Sequence, residues 1–224
     1  MQIKLDEKCP FRRVFFIYFC LMIICAENIR KALSGNLPGS ISHKKMLPPN
    51  RILEAAPDEK KRIKQSSVLL LLYIENSELT ACLIKRPAHM KHHAGQIALP
   101  GGRIEKGETA LETALRETCE EVGIHSEQIE ILGSLSELYV EVSRFQIHPF
   151  VGWLHKKPEF NLNPAEVEKT ILFPTSKIKT PFNREELDTI SGKLDVPCIR
   201  FDGEFIWGAT AMILAEFYDV IKNL

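Results

Sequence analysis

Three glutamates stand close together in the stretch RETCEEVG, residues 116 to 123. Successive residues of an α-helix are turned by about 100°, so side chains three and four positions apart share one face. Glu117, Glu120 and Glu121 would therefore form a single carboxylate patch. Carboxylates so placed repel one another unless a cation compensates them, and a divalent cation with oxygen ligands is the natural complement. The pattern predicts a metal-binding helix face, with an ordinary solvated face as the alternative.

The opposite side of the same helix is less polar and is suited to packing. The residues at helical spacing on this side are Leu111, Ala114, Leu115, Thr118 and Val122. One apolar face and one charged face are typical of a helix that lies on a protein core. We therefore expect a helix over about residues 108 to 122, which holds the glutamates on a packed support.

The wider stretch from Gly101 to Ile124, GGRIEKGETALETALRETCEEVGI, is called the box below. It resembles the signature of the Nudix hydrolases, G-x5-E-x7-R-E-x-x-E-E-x-G followed by an aliphatic residue. The matching positions are Gly102, Glu108, Arg116, Glu117, Glu120, Glu121, Gly123 and Ile124. Thr118 stands where the family usually has an aliphatic residue, but it lies on the packing side of the predicted helix.

This resemblance implies both a fold and a chemistry. The implied fold is of the α/β (α+β) class, a Nudix-type α/β/α sandwich in which a mixed sheet lies between helices. The implied reaction is hydrolysis of a diphosphate with Mg²⁺ or Mn²⁺, and the implied metal ligands are Glu117, Glu120, Glu121 and the carbonyl of Gly101. Glu120 could instead orient the attacking water.

Two further residues of the box have expected supporting roles. Arg116 lies four positions from both Glu112 and Glu120, so we expect it to orient the glutamates at the catalytic centre. Glu108 stands at the start of the helix, where a carboxylate complements exposed N–H groups, so its role is expected to be structural. The general base is either a box glutamate or a residue elsewhere, such as Glu141 in a predicted loop.

The stretch before the box, CLIKRPAHMKHHAGQIALPGG (82 to 102), resembles the additional motif of the coenzyme A pyrophosphatases. The matching residues are Arg86, Gly95, Pro100, Gly101 and Gly102. The departures are Cys82, Ile84, Pro87, Lys91 and Leu99, of which Lys91 keeps the positive charge of the expected arginine. The resemblance implies that coenzyme A or acyl-coenzyme A is cut to 3′,5′-ADP and (acyl-)4′-phosphopantetheine.

The same motif suggests how the substrate would be bound. Arg86 and Lys91 are the expected phosphate-binding residues, since cationic side chains grip phosphate oxygens. Gly95, Gly101 and Gly102 complete the expected substrate-binding set, because the backbone at a glycine can approach a metal or a diphosphate closely.

Three other functions stay open at this point. The substrate could be another Nudix diphosphate, such as ADP-ribose, a nucleoside sugar diphosphate or a nucleotide. The domain could be a non-catalytic Nudix module that binds nucleotides, although the intact glutamates argue against this. A membrane-tethered protein that uses the apolar residues 14 to 25 is the third alternative.

Composition limits the class of protein further. The chain has 224 residues, with 29 Lys and Arg against 29 Asp and Glu, so its net charge is zero. A balanced chain has no overall field that attracts nucleic acid or an anionic membrane, so we expect a small-molecule diphosphate substrate and no nucleic-acid partner. The 6 cysteines contain no C-x-x-C pair, which favours reduced thiols and a cytoplasmic location. A homodimer is compatible with these features.

The N-terminus differs from the rest of the chain. An apolar run from Val14 to Cys25 follows Arg12 and Arg13, and it is too short to span a bilayer as a helix. It resembles a secretory signal with a cleavage point at Ala26. Alternatively it is an ordinary buried segment, or the native protein starts at Met22 and the residues before it are a non-native extension. We therefore expect a hydrophobic extension over 1–27 without stable membrane insertion, and a Nudix domain over 28–224.

Apolar periodicity predicts the elements around the box. Strands are expected at 66 to 74, 79 to 86, 96 to 99, 128 to 139 and 145 to 154, with two more joined at Asp202 and Gly203; helices are expected at 28 to 35, in NPAEVEKTILF (163 to 173) and from Ala209 onward. Strands mixed with substantial helices predict a layered α/β or α+β domain.

Overall fold

The computed structural model describes residues 24–49, 51–53, 63–90, 93–189 and 192–224. The helices are α1 (Ala26–Leu33), α2 (Ser40–His43), α3 (Ala110–Val122) and α4 (Gly208–Ile221). The strands are β1 (Lys64–Glu75), β2 (Glu78–Lys85), β3 (Ile97–Ala98), β4 (Gly101–Arg103), β5 (Glu130–Ser134), β6 (Leu138–Val140), β7 (Phe145–Trp153), β8 (Lys169–Pro174), β9 (Asn183–Thr189), β10 (Gly192–Phe201) and β11 (Glu204–Trp207).

Strands β1 to β8 form one mixed sheet in the described part of the chain. Its main path runs β3, β2, β1, β7, β5, while β4 pairs with β1, β6 with β7 and β8 with β2. The pairing of β1 with β7 is parallel, and the other pairings are antiparallel. Strands β9, β10 and β11 form a separate antiparallel sheet.

The mixed sheet is covered on both faces, which is why β1 is apolar along most of its length. Leu70 and Leu72 belong to the core that includes α1 and α4, whereas Leu69 and Leu71 belong to the core that includes α3. The alternation of side chains along a strand sends neighbours into opposite cores. A mixed sheet between two helical layers confirms the predicted α/β (α+β) sandwich.

Helix α3 begins and ends with strong local signals. Thr109 and Glu112 form a capping box at its start, and Gly123 adopts a left-handed conformation at its end. Thr118 is fully buried and its hydroxyl donates to the carbonyl of Ala114 at 2.7 Å. Ala114, Thr118 and Val122 of the predicted packing side are buried, but Leu111 and Leu115 are only half-buried, and Glu121, predicted on the charged face, is buried as well.

Most of the strands and helices were predicted at nearly the observed bounds, but two predictions were wrong. NPAEVEKTILF is not a helix, because Lys169–Pro174 forms strand β8 and pairs with β2, and only a turn precedes it. The single strand expected at 128 to 139 is two strands, β5 and β6. Pairing with a neighbour overrode the local pattern in the first case.

Residues 1 to 23 lie outside the described residues, so the N-terminal extension stays a prediction. Where the described chain begins, Ala26–Leu33 forms α1 and packs Ile29 and Leu33 into the core. Of the helices in the described ranges, none is long and apolar enough to cross a membrane.

Candidate metal and diphosphate site

The buried end of α3 carries the centre of the site. Glu121 is 0% exposed, and its Oε2 accepts a hydrogen bond from the backbone N–H of Gly101 at 2.9 Å. Its Oε1 lies 3.4 Å from Nη1 of Arg86. Burial raises the pKa of Glu121 to about 8, since a charged carboxylate loses its hydration there. This carboxylate is therefore short of positive charge in the metal-free protein.

Glu117 lies one turn before Glu121 and faces the same strand. Its carboxylate accepts from Nη1 of Arg116 at 3.0 Å, and burial raises its pKa. A Cβ atom at Gly102 would lie 2.3 Å from Cδ of Glu117, so only glycine leaves room for this carboxylate. A Cβ at Gly101 would lie 2.3 Å from the carbonyl oxygen of Ser67, so the other glycine of the pair is also required. Gly102 thus lets β4 lie against Glu117 of the helix, and Gly101 lets it lie against β1.

A third carboxylate, Glu166, reaches the same place from a turn between β7 and β8. One carboxylate oxygen from each of Glu117, Glu121 and Glu166 lies within 4.8 Å of the others. Asn163 holds the turn in place, because its N–H donates to the carbonyl of Glu121 at 3.1 Å and its amide nitrogen lies 3.2 Å from Oε1 of Glu166. We call these three glutamates the carboxylate cluster.

The sequence did not single out Glu166. It lies 45 positions beyond Glu121 in the chain (166 − 121), within the segment predicted as a helix. The only local signals are Pro164 and the Asn163 side chain, which favour a turn. The contact with α3 depends on the tertiary fold, so no periodicity in the sequence could reveal it.

Arg116 contacts three acidic side chains, of which Glu120 is an expected partner. Its guanidinium contacts Glu120 at 2.9 Å and Glu117 at 3.0 Å, and Nε contacts Glu108 at 2.6 Å. Glu112, the other expected partner, instead caps the helix with Thr109.

Glu108 lies just before the helix, whose start is capped by Thr109 and Glu112, and its carboxylate accepts from the backbone N–H of Glu105 and from the side chains of Thr113 and Arg116. Hydrogen bonds from Arg116 and Thr113 lower the pKa of Glu108 to about 2, so it stays ionised. The Glu108 carboxylate thus fixes the guanidinium that in turn fixes Glu117.

The other predicted residues are distributed around the cluster. Glu120 is outside it, with its side chain 50% exposed on Arg116. Gly101 contacts Glu121 through its N–H, and Gly95 stands in a left-handed turn where its N–H donates to the carbonyl of Arg86 at 3.0 Å. Glu141 is exposed in the turn before β7 and does not belong to the cluster.

Lys91 lies outside the described residues, so its predicted phosphate contact stays a prediction. Arg86, the other predicted phosphate-binding residue, points into the site and contacts Glu121.

Comparison with known proteins agrees with this geometry. The family model described as NUDIX domain matches residues 63–191. The chain is 35% identical over 115 residues to Nudix hydrolase 3 of Caenorhabditis elegans, covering 50% of this chain and 48% of that protein, so it spans about half of that relative. It is 33% identical over 156 residues to the uncharacterized Nudix hydrolase NudL of Pectobacterium atrosepticum, covering 68% of this chain and 80% of that protein.

Solved structures show the same fold. The Nudix hydrolase RenU from M. smegmatis superposes with a TM-score of 0.53 and 15% identity, covering 80% of this chain and 94% of the other. The MutT protein from Methanosarcina mazei Go1 gives a TM-score of 0.50 and 19% identity, covering 74% and 99%. With two members of the carboxylate cluster on the box helix and a family match over more than half of its length, this chain belongs to the Nudix hydrolase family.

Proposed function

We propose that the chain hydrolyses a diphosphate that is linked to another group, with the help of a divalent cation, and that the substrate is coenzyme A or acyl-coenzyme A. The observation that carries the first part is the convergence of Glu117, Glu121 and Glu166 within 4.8 Å. Three mutually repelling carboxylates, two of which have a raised pKa, require an added positive charge to be ionised together.

The chemistry of the cluster suits a hard cation. The donors are carboxylate oxygens without thiolate or imidazole, which favours Mg²⁺ or Mn²⁺ over zinc or copper. Glu117, Glu121 and Glu166 would hold the ion, and the carbonyl of Gly101 is a fourth ligand implied by the family resemblance. When bound, the ion supplies neutralising charge to the diphosphate and lowers the pKa of the attacking water.

The remaining side chains position these groups. Nη1 of Arg116 donates to Glu117 and Glu120, while Nε donates to Glu108. Because Glu108 fixes the guanidinium, Arg116 restricts the orientation of the other two carboxylates. Glu120 is half-exposed at the rim, where it can accept a hydrogen bond from a water molecule or a substrate hydroxyl. Gly101 and Gly102 leave the approach to the cluster free of side chains on the β4 side.

The substrate is proposed from the stretch before the box. Arg86 and Gly95 match the coenzyme A pyrophosphatase motif, and Arg86 contacts the cluster at Glu121. The NudL relatives are described without a substrate, so the motif residues are the support for coenzyme A. The cytoplasmic location and the homodimer expected from the sequence stay predictions.

A substrate panel tests the proposal. The purified protein is incubated with Mg²⁺ and either coenzyme A, acetyl-coenzyme A, ADP-ribose or UDP-glucose, and the products are separated by chromatography and identified by mass. We expect 3′,5′-ADP and 4′-phosphopantetheine from coenzyme A to form fastest. Faster cleavage of ADP-ribose would support the diphosphatase activity but would show that coenzyme A is not the preferred substrate. Nucleotide binding without turnover of any compound would contradict both the activity and the substrate, and would indicate a non-catalytic module.

A further inference from the structure

Arg86 makes an unusual contact for a residue expected to bind substrate. It directly follows β2, and its Nη1 lies 3.4 Å from Oε1 of Glu121, a presumed ligand of the cation. The side chain is 20% exposed, and its Nε is buried without a hydrogen-bond partner among the described residues. A guanidinium has five N–H donors, so most of the capacity of Arg86 is unused in this arrangement.

The backbone of Arg86 is fixed by two hydrogen bonds, whereas its guanidinium has one ion-pair partner among the described residues, Glu121. Its N–H donates to the carbonyl of Gln96 at 3.0 Å, and its carbonyl accepts from the N–H of Gly95 at 3.0 Å. These two bonds close the base of the loop that begins after β2. A movement of the guanidinium therefore needs only side-chain rotation, with the loop base as a fixed pivot.

A cation in the carboxylate cluster would compete with Arg86 for the same carboxylate. The guanidinium stays charged under all ordinary conditions, so a divalent ion on Glu121 repels it. A diphosphate bound beside the ion offers the guanidinium new anionic oxygens in a geometry that it can grip with two N–H groups. Repulsion by the cation and attraction by the diphosphate therefore both favour movement of the Arg86 guanidinium from Glu121 to the diphosphate.

We propose that the Arg86 guanidinium changes its partner during binding. It pairs with Glu121 in the metal-free enzyme, and it contacts the diphosphate instead when a cation binds Glu121. The inference rests on the proposed function, because it requires both a cation in the cluster and a diphosphate substrate. As a consequence, the cation and the substrate bind cooperatively. The cation releases Arg86 from Glu121 so that it can bind the substrate, and the bound substrate keeps Arg86 away from Glu121, where it would compete with the cation.

Two crystal structures of the full chain test the exchange, one without metal and one soaked in Mn²⁺, which is located by its anomalous scattering. We expect Mn²⁺ among Glu117, Glu121 and Glu166, and we expect the contact between Arg86 and Glu121 to be broken only in the Mn²⁺ structure. If Mn²⁺ occupies the cluster and Arg86 still contacts Glu121, the exchange is wrong while the proposed function stands. If no Mn²⁺ occupies the cluster, the proposed function itself fails.

Kinetics test the second half of the exchange. Arg86→Gln should raise KM for coenzyme A by about ten- to a hundredfold, which is the usual effect of losing a charge-assisted hydrogen bond, while kcat falls less. Arg86→Lys should recover part of this loss. The matched control is Arg184→Gln, which removes an exposed arginine from its ion pair with Asp195 in the second sheet and should leave KM unchanged. A normal KM in a folded Arg86→Gln variant would overturn the inference.

Discussion

The chemistry of this protein depends on a glutamate in an unfavourable environment. Glu121 is fully buried, and the partners that stabilise its ionised form are one backbone N–H and one distant guanidinium among the described residues. Glu120 is its neighbour in sequence, but it is half-exposed and paired with Arg116. Burial therefore separates two adjacent carboxylates into a proposed metal ligand, Glu121, and an exposed group, Glu120.

This difference in burial predicts that neutralising Glu121 lowers the turnover rate much more than neutralising Glu120. Glu121→Gln removes a ligand that contributes several kcal/mol to transition-state stabilisation, so turnover should fall by about three orders of magnitude. Glu120→Gln should cost about tenfold or less, since it lies outside the carboxylate cluster. Steady-state rates of coenzyme A hydrolysis at saturating Mg²⁺ measure both. Equal losses in the two variants would contradict the assignment of Glu121 as the principal ligand.

The raised pKa of Glu121 also predicts a pH dependence in the metal-free protein. The ordinary pKa of glutamate is about 4.3, and burial raises that of Glu121 to about 8. Between these values the folded protein keeps a proton that the unfolded chain has lost, so the free energy of unfolding falls as pH rises. Thermal unfolding is measured with EDTA present. The stability of the unmodified protein should fall more steeply from about pH 5 to about pH 8 than that of Glu121→Gln. Parallel curves for the two proteins would show that Glu121 does not titrate in this range.

At the scale of elements, the site is a meeting of one helix, one short strand and one turn. Helix α3 presents Glu117 and Glu121, β4 brings the glycine pair beside them, and the turn at 163 to 166 adds Glu166. Asn163 ties that turn to the C-terminal end of α3 through the carbonyl of Glu121. The position of the third carboxylate thus depends on the end of the helix that carries the other two.

A comparison of two glutamates in this segment tests the role of the turn. Glu166→Gln removes a member of the cluster and should weaken Mn²⁺ binding by at least about tenfold, because a divalent cation loses a charged oxygen ligand. Glu168→Gln is the matched control, since its side chain is 44% exposed and faces Lys85. Binding is measured from the decrease of the free Mn²⁺ signal in electron paramagnetic resonance. If the two variants bind Mn²⁺ equally well, Glu166 is not a ligand.

The apolar and acidic periodicity within the box predicted α3 to within two residues of its observed bounds, because that pattern is local to the helix. The same reasoning failed for Glu166, whose neighbours in space are far away in the chain. Strand β9 was also missed, since Arg184, Glu185 and Glu186 give it the composition of a solvated segment. Its pairing with β10 comes from the hairpin, and charged edge strands are common in sheets.

On the scale of the whole molecule, the first described helices are fastened to the last helix by buried charge. Glu216 of α4 is 0% exposed and lies 2.9 Å from Nε2 of His43, and it accepts from the N–H of Gly39 at 3.1 Å. Asp219, one turn later, contacts Ser42 and Lys45. This attachment covers the face of the mixed sheet opposite to the carboxylate cluster, so it supports the fold and leaves the site open.

Breaking this attachment should cost stability without changing the chemistry. Glu216→Ala leaves His43 and the N–H of Gly39 buried without their hydrogen-bond partner, and each such group typically costs about 1–3 kcal/mol. Asp195→Ala removes an exposed ion pair in the second sheet and should cost less than about 1 kcal/mol. Urea unfolding monitored by circular dichroism gives both values. A Glu216→Ala variant as stable as the control would mean that the buried pair does not hold the N-terminal segment.

The resemblance in the sequence predicted the mixed sheet, and the periodicity predicted the acidic helix, but neither predicted this attachment. His43 and Glu216 are 173 positions apart, and each taken singly resembles a surface residue. Only the packing of α2 against α4 brings them together in a dry environment. The box was recognisable because its chemistry is local, whereas the support of the sheet is distributed along the chain.

The central claim is that the carboxylate cluster uses a divalent cation to cleave the diphosphate of coenzyme A. The most direct measurement is the release of 3′,5′-ADP from coenzyme A by the purified chain, with Mg²⁺ and with EDTA. We expect release with Mg²⁺, none with EDTA, and a rate about a thousandfold lower in Glu121→Gln. Release that persists in EDTA, or the absence of release with Mg²⁺, would contradict the account.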